Sequence, residues 1–313
     1  MRPAHARIRS AYAAGVRIVS LVPHATELLF ALGLGPEVLA VTHECDHPPA
    51  ARRLAKVTSD VLAPGLDAAE IDAAVREHTL AGGAIYELDR DALAALEPDL
   101  IVTQALCPVC AVSYEEVAEL ARDLRSHPRV IALDPRTIGE TLGDVRTLAE
   151  ATGRREQGIE LVRRSAARIE RVELAVHGRP RPRVAAIEWL DPVYVAGHWT
   201  PQMIDLAGGE DVLGVPGEPS ATASWETVAA AMPEVVLVMP CGYDAPRART
   251  EALAHERRLA ALGARTVLAV DASAYFSRPG PRLIDGLELL AQVLHPDAAP
   301  APPPGAEAIT VRG

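Results

Sequence analysis

The sequence predicts an α/β protein made of two lobes of similar build, each with a parallel sheet, joined by one long helix. Apolar runs of strand length alternate with helical patterns in two separate stretches of the 313-residue chain, which is typical of βα units and parallel sheets. A helix, a break at a proline beside an acidic residue, and a buried strand follow one another at 96–102 and again at 232–238. The segment 137–177 between these stretches has a helical pattern and no strand.

The first lobe is predicted over residues 16–136. Its first apolar run ends at Pro23, and the helix that follows is predicted from His24 to Leu32, because Gly33 suits the end of a helix. The strands of this lobe are predicted at 17–22, 38–42, 99–104 and 130–133.

A helical linker is predicted over 137–178, and the second lobe follows over 182–295. Gly153 divides the linker, and its longer helix, from about Arg154 to His177, would be about 36 Å long at a rise of ~1.5 Å per residue. The tail over 296–313 is rich in Pro and Ala, so we expect it to be disordered because it cannot bury enough apolar surface. The strands of the second lobe are predicted near 183–190, 235–239 and 266–271.

The charge and the hydropathy pattern exclude several classes of protein. A net charge of −11 argues against nucleic-acid binding, since no basic surface would offset the repulsion by phosphates. No apolar run reaches the ~18–20 residues of a membrane span. Arg and His interrupt the N-terminal residues too often for the ~7–15-residue apolar core of a secretory signal. We therefore expect a cytoplasmic protein; the alternative is a periplasmic or cell-surface protein whose leader is missing from this sequence. We also expect a monomer.

The aromatic residues collect where loops leave predicted strands. The chain has only 3 Trp, 6 Tyr and 2 Phe, and ligands of open α/β sheets bind beyond the carboxyl ends of the strands. This placement predicts a flat organic ligand held between loops rather than a reaction. The alternative is that some of the rings only fill the lobe beneath a loop. The candidate ligand-binding residues here are Trp189, Tyr194, His198, Trp199, Tyr243, Tyr275, Phe276 and Arg278. The guanidinium of Arg278 suits a phosphate, a propionate or an amide-rich rim; the alternative is that it fixes its own loop by bonding backbone carbonyls.

The four Cys residues are expected to be free thiols, metal ligands or redox groups rather than disulfides. Cys107 and Cys110 have the spacing of a metal pair or a redox couple. Three alternatives stay open: an axial thiolate or imidazole ligand to the metal of a bound cofactor, a separate Zn site, or cysteines that only pack. A preceding loop supplies further candidates for binding: His43, Glu44, Cys45, Asp46 and His47. The candidates for an axial ligand to a bound metal are His43, Cys45, Cys107 and Cys110.

Several segments together resemble the class III substrate-binding proteins that serve ABC importers of iron chelates, haem and cobalamin. They lie at 17–27, 31–33, 45–48, 96–101, 206–209 and 224–226, and the resemblance covers residues 16–295. Within this family, residues 42–46, 188–192 and 276–281 are most similar to the cobalamin-binding branch. In the family, two Rossmann-like lobes are bridged by a single long helix, and the ligand lies in the cleft between them.

The resemblance implies a binding protein, not an enzyme, and no P-loop or GxSxG motif points to catalysis. It implies that a corrinoid, cobalamin, is bound for delivery to an ABC transporter permease or, in a cytoplasmic variant, for hand-off inside the cell. Asp91 and Glu226 stand where the family carries the acids that dock on the permease. A haem or iron-chelate carrier is an alternative within the binding class. A metal or redox protein that uses Cys107 and Cys110 is an alternative of another class.

Overall fold

A computed structural model of the chain describes residues 15–63, 65–80, 85–105 and 112–312. These residues form two compact units. The first unit comprises the described residues up to Pro135 together with Leu142–Val162, and the second comprises Arg136–Thr141 together with the described residues from Arg163 onward. Each unit has its own central sheet, and the α/β class predicted from the sequence is confirmed.

The first unit is built around a five-stranded sheet in which all neighbouring strands are parallel. Its order is β3-β2-β1-β6-β7. The central strands are buried on both faces, which explains why their sequences read as continuous apolar runs. A separate antiparallel pair, β4 with β5, lies outside this sheet. The strands are β1 Ile18–Ser20, β2 Val38–Val41, β3 Ala55–Lys56, β4 Thr58–Asp60, β5 Tyr86–Leu88, β6 Leu100–Gln104 and β7 Arg129–Leu133.

The helices of the first half follow the strands in βα order. The first helix packs Leu28 and Leu29 into the core, and Leu32, its C-terminal cap, packs there as well; all three are fully buried. The helices are α1 Pro23–Ala31, α2 Ala68–Leu80, α3 Arg90–Ala95, α4 Tyr114–Asp123, α5 Ile138–Ala151 and α6 Arg155–Val176. The long helix predicted from about Arg154 to His177 is therefore present as α6, whose residues belong to the first unit as far as Val162.

The second unit contains a sheet of order β11-β9-β8-β12-β13-β14, with β10 beside β8. Strands β8, β12 and β13 are parallel, and β9, β11 and β14 pair with their neighbours in antiparallel fashion. The strands are β8 Arg183–Leu190, β9 Val193–Val195, β10 Glu210–Asp211, β11 Ala221–Ala223, β12 Val235–Val238, β13 Thr266–Val270 and β14 Ala308–Arg312. The helices are α7 Thr200–Leu206, α8 Trp225–Ala230, α9 Ala245–Ala254, α10 Glu256–Ala261, α11 Ala272–Tyr275 and α12 Leu283–Leu294.

The C-terminal tail differs from the disorder expected over 296–313. Its last residues form β14, which pairs with β13 at the edge of the sheet, and Val311 packs against the apolar core. The Pro- and Ala-rich composition behind the expectation is confined to the residues before β14. The segment AITVR that follows has β-branched residues that suit a strand.

Among the described helices, none combines the length and the apolar composition that crossing a lipid bilayer requires.

Candidate ligand-binding site

The carboxyl ends of three parallel strands bring the second unit's candidate residues to one edge of its sheet. Trp189 lies near the end of β8, Tyr243 follows β12, and Tyr275 ends the short helix after β13. The loops are tied together by hydrogen bonds. The backbone N–H of Cys241 donates to the carbonyl of Glu188 at 3.2 Å, and that of Ser273 donates to the carbonyl of Tyr243 at 3.1 Å. This edge is where open α/β sheets bind ligands.

Trp189 and Tyr243 form an edge-to-face aromatic pair with their ring centroids 5.6 Å apart. Tyr243 is buried, with 4% of its surface exposed, whereas Trp189 is partly exposed. The guanidinium carbon of Arg247 lies 3.8 Å from the centroid of the Tyr243 ring. The indole Nε1 of Trp189 is buried without a hydrogen-bond partner among the described residues. Of the two rings, Trp189 is the more exposed, and its edge-to-face contact with the buried Tyr243 ring holds it in place.

Two further candidate rings are buried. The indole N–H of Trp199 donates to the carbonyl of Phe276 at 2.7 Å, and the two residues are only 5% and 1% exposed. They join the start of α7 to the loop after α11. For Trp199, Phe276 and Tyr243, this placement favours the alternative in which a ring fills the lobe beneath a loop.

Tyr194, His198, Tyr275 and Arg278 are partly exposed. The His198 backbone has a positive φ of 52°, and its N–H donates to the carbonyl of Glu218 at 2.6 Å. The Tyr275 ring lies 5.9 Å from the guanidinium carbon of Arg282. These four side chains are thus more exposed than the rings of Trp199, Phe276 and Tyr243.

A carboxyl group is buried at the same edge. Burial raises the pKa of Glu188 to about 7, although the Ser220 hydroxyl, which donates to Glu188 Oε2 at 2.5 Å, opposes that increase. The same hydroxyl oxygen accepts the backbone N–H of Gly197 at 3.2 Å. Glu188 therefore fastens the loop before β11 to the end of β8.

The first unit carries a polar cluster on the loop after β2. His43 Nδ1 lies 2.8 Å from the hydroxyl of Thr58, and the His43 ring packs against Tyr86 at a centroid distance of 5.2 Å. The Tyr86 hydroxyl donates to Glu44 Oε1 at 3.1 Å. His43, Glu44, Asp46 and His47 are all partly exposed. His43 and Glu44 are thus held by the β4–β5 pair, which no pattern in the sequence predicts.

Cys45 is buried rather than directed toward a ligand. Its Sγ lies 3.1 Å from the hydroxyl of Thr26 and 3.0 Å from that of Thr42, and burial raises the pKa of the thiol. This environment favours the packing alternative for Cys45. Cys107 and Cys110 lie outside the described residues, so the axial-ligand and redox hypotheses for them stay predictions. Within the described ranges, no group of three or more His, Cys, Asp and Glu side chains is arranged to hold a metal ion.

Asp91 and Glu226 occupy the same position in two short helices. Each is the second residue of a six-residue helix, α3 or α8, and both are exposed. The residue before each helix caps it: Asp89 accepts the N–H of Ala92 at 2.8 Å, and Ser224 accepts that of Thr227 at 3.1 Å. Hydrogen bonds from its own backbone N–H and from the Ser224 side chain hold the pKa of Glu226 below its usual range.

Sequence reasoning did not select Tyr86, Arg247 or Arg282. Tyr86 lies in a strand of three residues, too short to give a periodic signal. Arg247 follows an Asp-Ala-Pro helix start, which identifies the first turn of α9 but not the ring beneath the guanidinium. The contacts that involve these residues depend on which loops meet at a sheet edge, and spacing along the chain does not encode that.

Comparison with known proteins gives consistent matches. The family model described as periplasmic binding protein matches residues 18–264. The vitamin B12-binding protein of Pectobacterium carotovorum is 25% identical over 279 residues, which cover 88% of this chain and 87% of that protein. A periplasmic haem-binding protein structure from Pseudomonas aeruginosa is 21% identical, with a TM-score of 0.70, and covers 95% of this chain and 99% of its own. The periplasmic vitamin B12 binding protein of Vibrio cholerae is 23% identical, with a TM-score of 0.64 and coverage of 89% and 96%. At these identities the solved structures show a shared fold alone.

These matches confirm the family resemblance and correct one expectation. The prediction of a cytoplasmic protein is wrong, because both the matching family model and the solved relatives are those of periplasmic binding proteins. The prediction came from the composition of the N-terminal residues, which lie outside the matched range.

Proposed function

The chain belongs to the periplasmic binding protein family, and from that membership we propose that it is the cobalamin receptor of an ABC importer. The broader class is that of binding proteins for cobalamin, haem and iron chelates. Cobalamin is preferred within this class because curated relatives that align over most of their length are named vitamin B12-binding proteins and because the segments near 42–46, 188–192 and 276–281 are most similar to that branch.

The observation that carries the proposal is the partly exposed Trp189 ring on its buried Tyr243 support. An indole offers a large apolar face at little cost in conformational entropy, and its position is fixed by an edge-to-face contact of 5.6 Å. A flat macrocycle with polar side groups matches such a surface, because its ring can lie on the indole while its rim reaches the surrounding polar side chains. A pre-formed surface also keeps the ordering cost of binding low.

The proposal is tested by titrating the intrinsic tryptophan fluorescence with cyanocobalamin. We expect saturable quenching, and an affinity for Trp189→Ala that is weaker by about tenfold or more, as for loss of a central aromatic contact. Trp225→Phe is the matched control, since Trp225 lies at the start of α8 with Arg258 and His255 rather than beside Tyr243. Equal affinities for Trp189→Ala and the wild type would show that the Trp189 indole does not contact the ligand.

His43 is the described residue that best suits an axial position on cobalt. Its Nδ1 is hydrogen-bonded to the Thr58 hydroxyl, which leaves Nε2 as the coordinating nitrogen when Nδ1 carries the proton, as ligating histidines commonly do. With hydroxocobalamin, His43→Ala is expected to keep the binding and lose the shift of the corrin absorption bands. If the absorption shift persists in the variant, His43 does not coordinate cobalt.

Asp91 and Glu226 are proposed as the two acids that contact the permease. Their exposure and their equivalent positions in two short capped helices support a shared role. Replacing both with Ala is expected to leave cobalamin affinity within about twofold while it abolishes receptor-dependent uptake by proteoliposomes that contain the importer. Unchanged uptake would contradict the assignment. Exposed Glu119→Ala on α4 is a suitable control.

A further inference from the structure

Arg247 lies in the first turn of α9, at the same edge of the second unit's sheet as Trp189. Its guanidinium carbon is 3.8 Å from the centroid of the Tyr243 ring, a cation–π distance that fixes the direction of the side chain. A single aromatic ring therefore separates the guanidinium from the Trp189 indole, whose centroid lies 5.6 Å from that of Tyr243. Arg247 is exposed, so its hydrogen-bond donors are accessible beside the proposed ligand surface.

The position of this arginine has no structural explanation within the helix. The start of a helix carries partial positive charge, so a cation in the first turn is electrostatically unfavourable. Asp244 caps the helix by accepting the backbone N–H of Arg247 at 2.8 Å, but no carboxylate among the described residues forms an ion pair with the Arg247 guanidinium. The guanidinium is thus held over the Tyr243 ring without an ion pair among the described residues.

A second arginine–tyrosine contact lies on the neighbouring loop of the same edge. The Arg282 guanidinium carbon is 5.9 Å from the Tyr275 ring, and Arg278 is close in sequence. The charges of Arg282 and Arg278 act on the Asp271 carboxylate, which caps α11 by accepting the backbone N–H of Ala274 at 2.7 Å.

We propose that Arg247, held on Tyr243, forms a subsite for an oxyanion of the ligand, a phosphate or a carboxylate, beside the Trp189 surface. The planar guanidinium matches either group with two parallel hydrogen bonds. The inference deepens the proposed function and rests on it: the ligand is a flat macrocycle with a negatively charged group at its rim. The phosphate of a corrinoid's nucleotide arm and the propionates of haem are the two sources of that chemistry.

The test uses two pairs of ligands, each with one member that carries the oxyanion and one that lacks it. Cyanocobalamin has the nucleotide phosphate, and dicyanocobinamide lacks it; haemin has free carboxylates, and its dimethyl ester does not. Each is titrated into the full chain and into Arg247→Met, which keeps an unbranched side chain over Tyr243 without the charge. Arg249→Met, an exposed arginine on the same helix, is the matched control. Thermal unfolding verifies that each variant is folded.

We expect Arg247→Met to weaken cyanocobalamin binding by about tenfold or more while dicyanocobinamide binding changes by less than about twofold. The same contrast between haemin and its ester would assign the subsite to a carboxylate instead, and it would support the subsite while it contradicts cobalamin as the ligand. Equal losses for both members of a pair would show that Arg247 only packs on Tyr243, and no loss for any ligand would overturn the subsite. A wild-type chain that binds none of the four would overturn the proposed function and the subsite together.

Discussion

Glu188 combines a position at the proposed ligand edge with an environment that disfavours its charge. Burial raises its pKa to about 7, and the Ser220 hydroxyl is the hydrogen-bond donor that partly compensates for the lost water. The carboxyl therefore changes protonation near neutral pH. Because Ser220 also accepts the N–H of Gly197, the charge on Glu188 affects how firmly the loop before β11 is held.

Glu188→Gln is predicted to flatten the pH dependence of stability between pH 4.5 and 7. The folded state holds a proton here that the unfolded chain has already lost, since the usual carboxyl pKa is 4.5. The stabilisation is complete below pH 4.5 and decreases as the pH rises to about 7, by roughly 3 kcal/mol at most. Urea unfolding at a series of pH values measures this. Glu218→Gln, an exposed neighbour, should follow the wild type, and a steep decrease retained in Glu188→Gln would contradict the assignment.

At the residue scale, the sequence predicted which side chains gather at the sheet edge better than it predicted their exposure. Trp189 and Tyr275 are partly exposed, whereas Trp199 and Phe276 are buried and bonded to each other. All four follow strands or adjoining loops in the same way, so their spacing is equally consistent with a ligand wall and a packed loop. Burial depends on which loop lies above each ring, and for that the three-dimensional contacts are needed.

The long helix α6 is fastened to α12 within the second unit by a network of ion pairs. Arg168 contacts Glu288 and Asp285 at 2.6 Å each, and Arg171 contacts Glu288 at 2.6 Å. Burial disfavours the Glu288 carboxylate, but hydrogen bonds and charge from the two arginines outweigh it and hold the pKa of Glu288 below its usual range. An almost fully buried carboxylate is thereby stabilised between two helices.

Arg168→Met is predicted to lower the free energy of unfolding by about 2–3 kcal/mol, because it leaves Glu288 with one exposed partner. Arg171→Met, whose side chain is 56% exposed, should cost less than about 1 kcal/mol. Urea unfolding of the two variants at neutral pH compares them directly. Similar losses for both would show that the burial of Glu288 is not what makes Arg168 important.

The C-terminal strand gives a second prediction for an element. Val311 packs against the core, while Thr310 next to it is exposed on β14. Val311→Ser is therefore expected to destabilise the chain by about 1–2 kcal/mol, whereas Thr310→Ser should stay within about 0.5 kcal/mol. Thermal unfolding measures both. Equal, negligible effects would mean that β14 contributes nothing to the second unit.

Among the elements, long buried strands were predictable and short edge strands were not. β6 and β8 are mostly apolar and bounded by prolines, and both lie where the sequence predicted them. The pair β4–β5 consists of three-residue strands that have no detectable period. The sequence did not predict β14, because the proline-rich residues before it dominate the average composition of the tail. The strand itself is only five residues long.

For the whole molecule, the fold class could be predicted because it follows from the order of helices and strands along the chain, and that order can be read from the sequence. The motifs spread over both halves led to the family, and the matching family model covers residues 18–264. The cellular location was wrong because it was inferred from residues outside that range. The identity of the ligand is the property that general sequence patterns constrain least, because it depends on a few individual side chains.

A side-by-side absorbance titration of the purified chain, under reducing conditions, with hydroxocobalamin, haem and a ferric hydroxamate tests whether the ligand is a corrinoid. We expect saturable binding of hydroxocobalamin at micromolar concentration or below, at least about tenfold tighter than the binding of the other two ligands. A shift of the corrin absorption bands would indicate that a protein side chain coordinates cobalt. Tighter binding of haem or of the ferric hydroxamate, with no binding of hydroxocobalamin at micromolar concentration, would contradict the assignment of a corrinoid as the ligand.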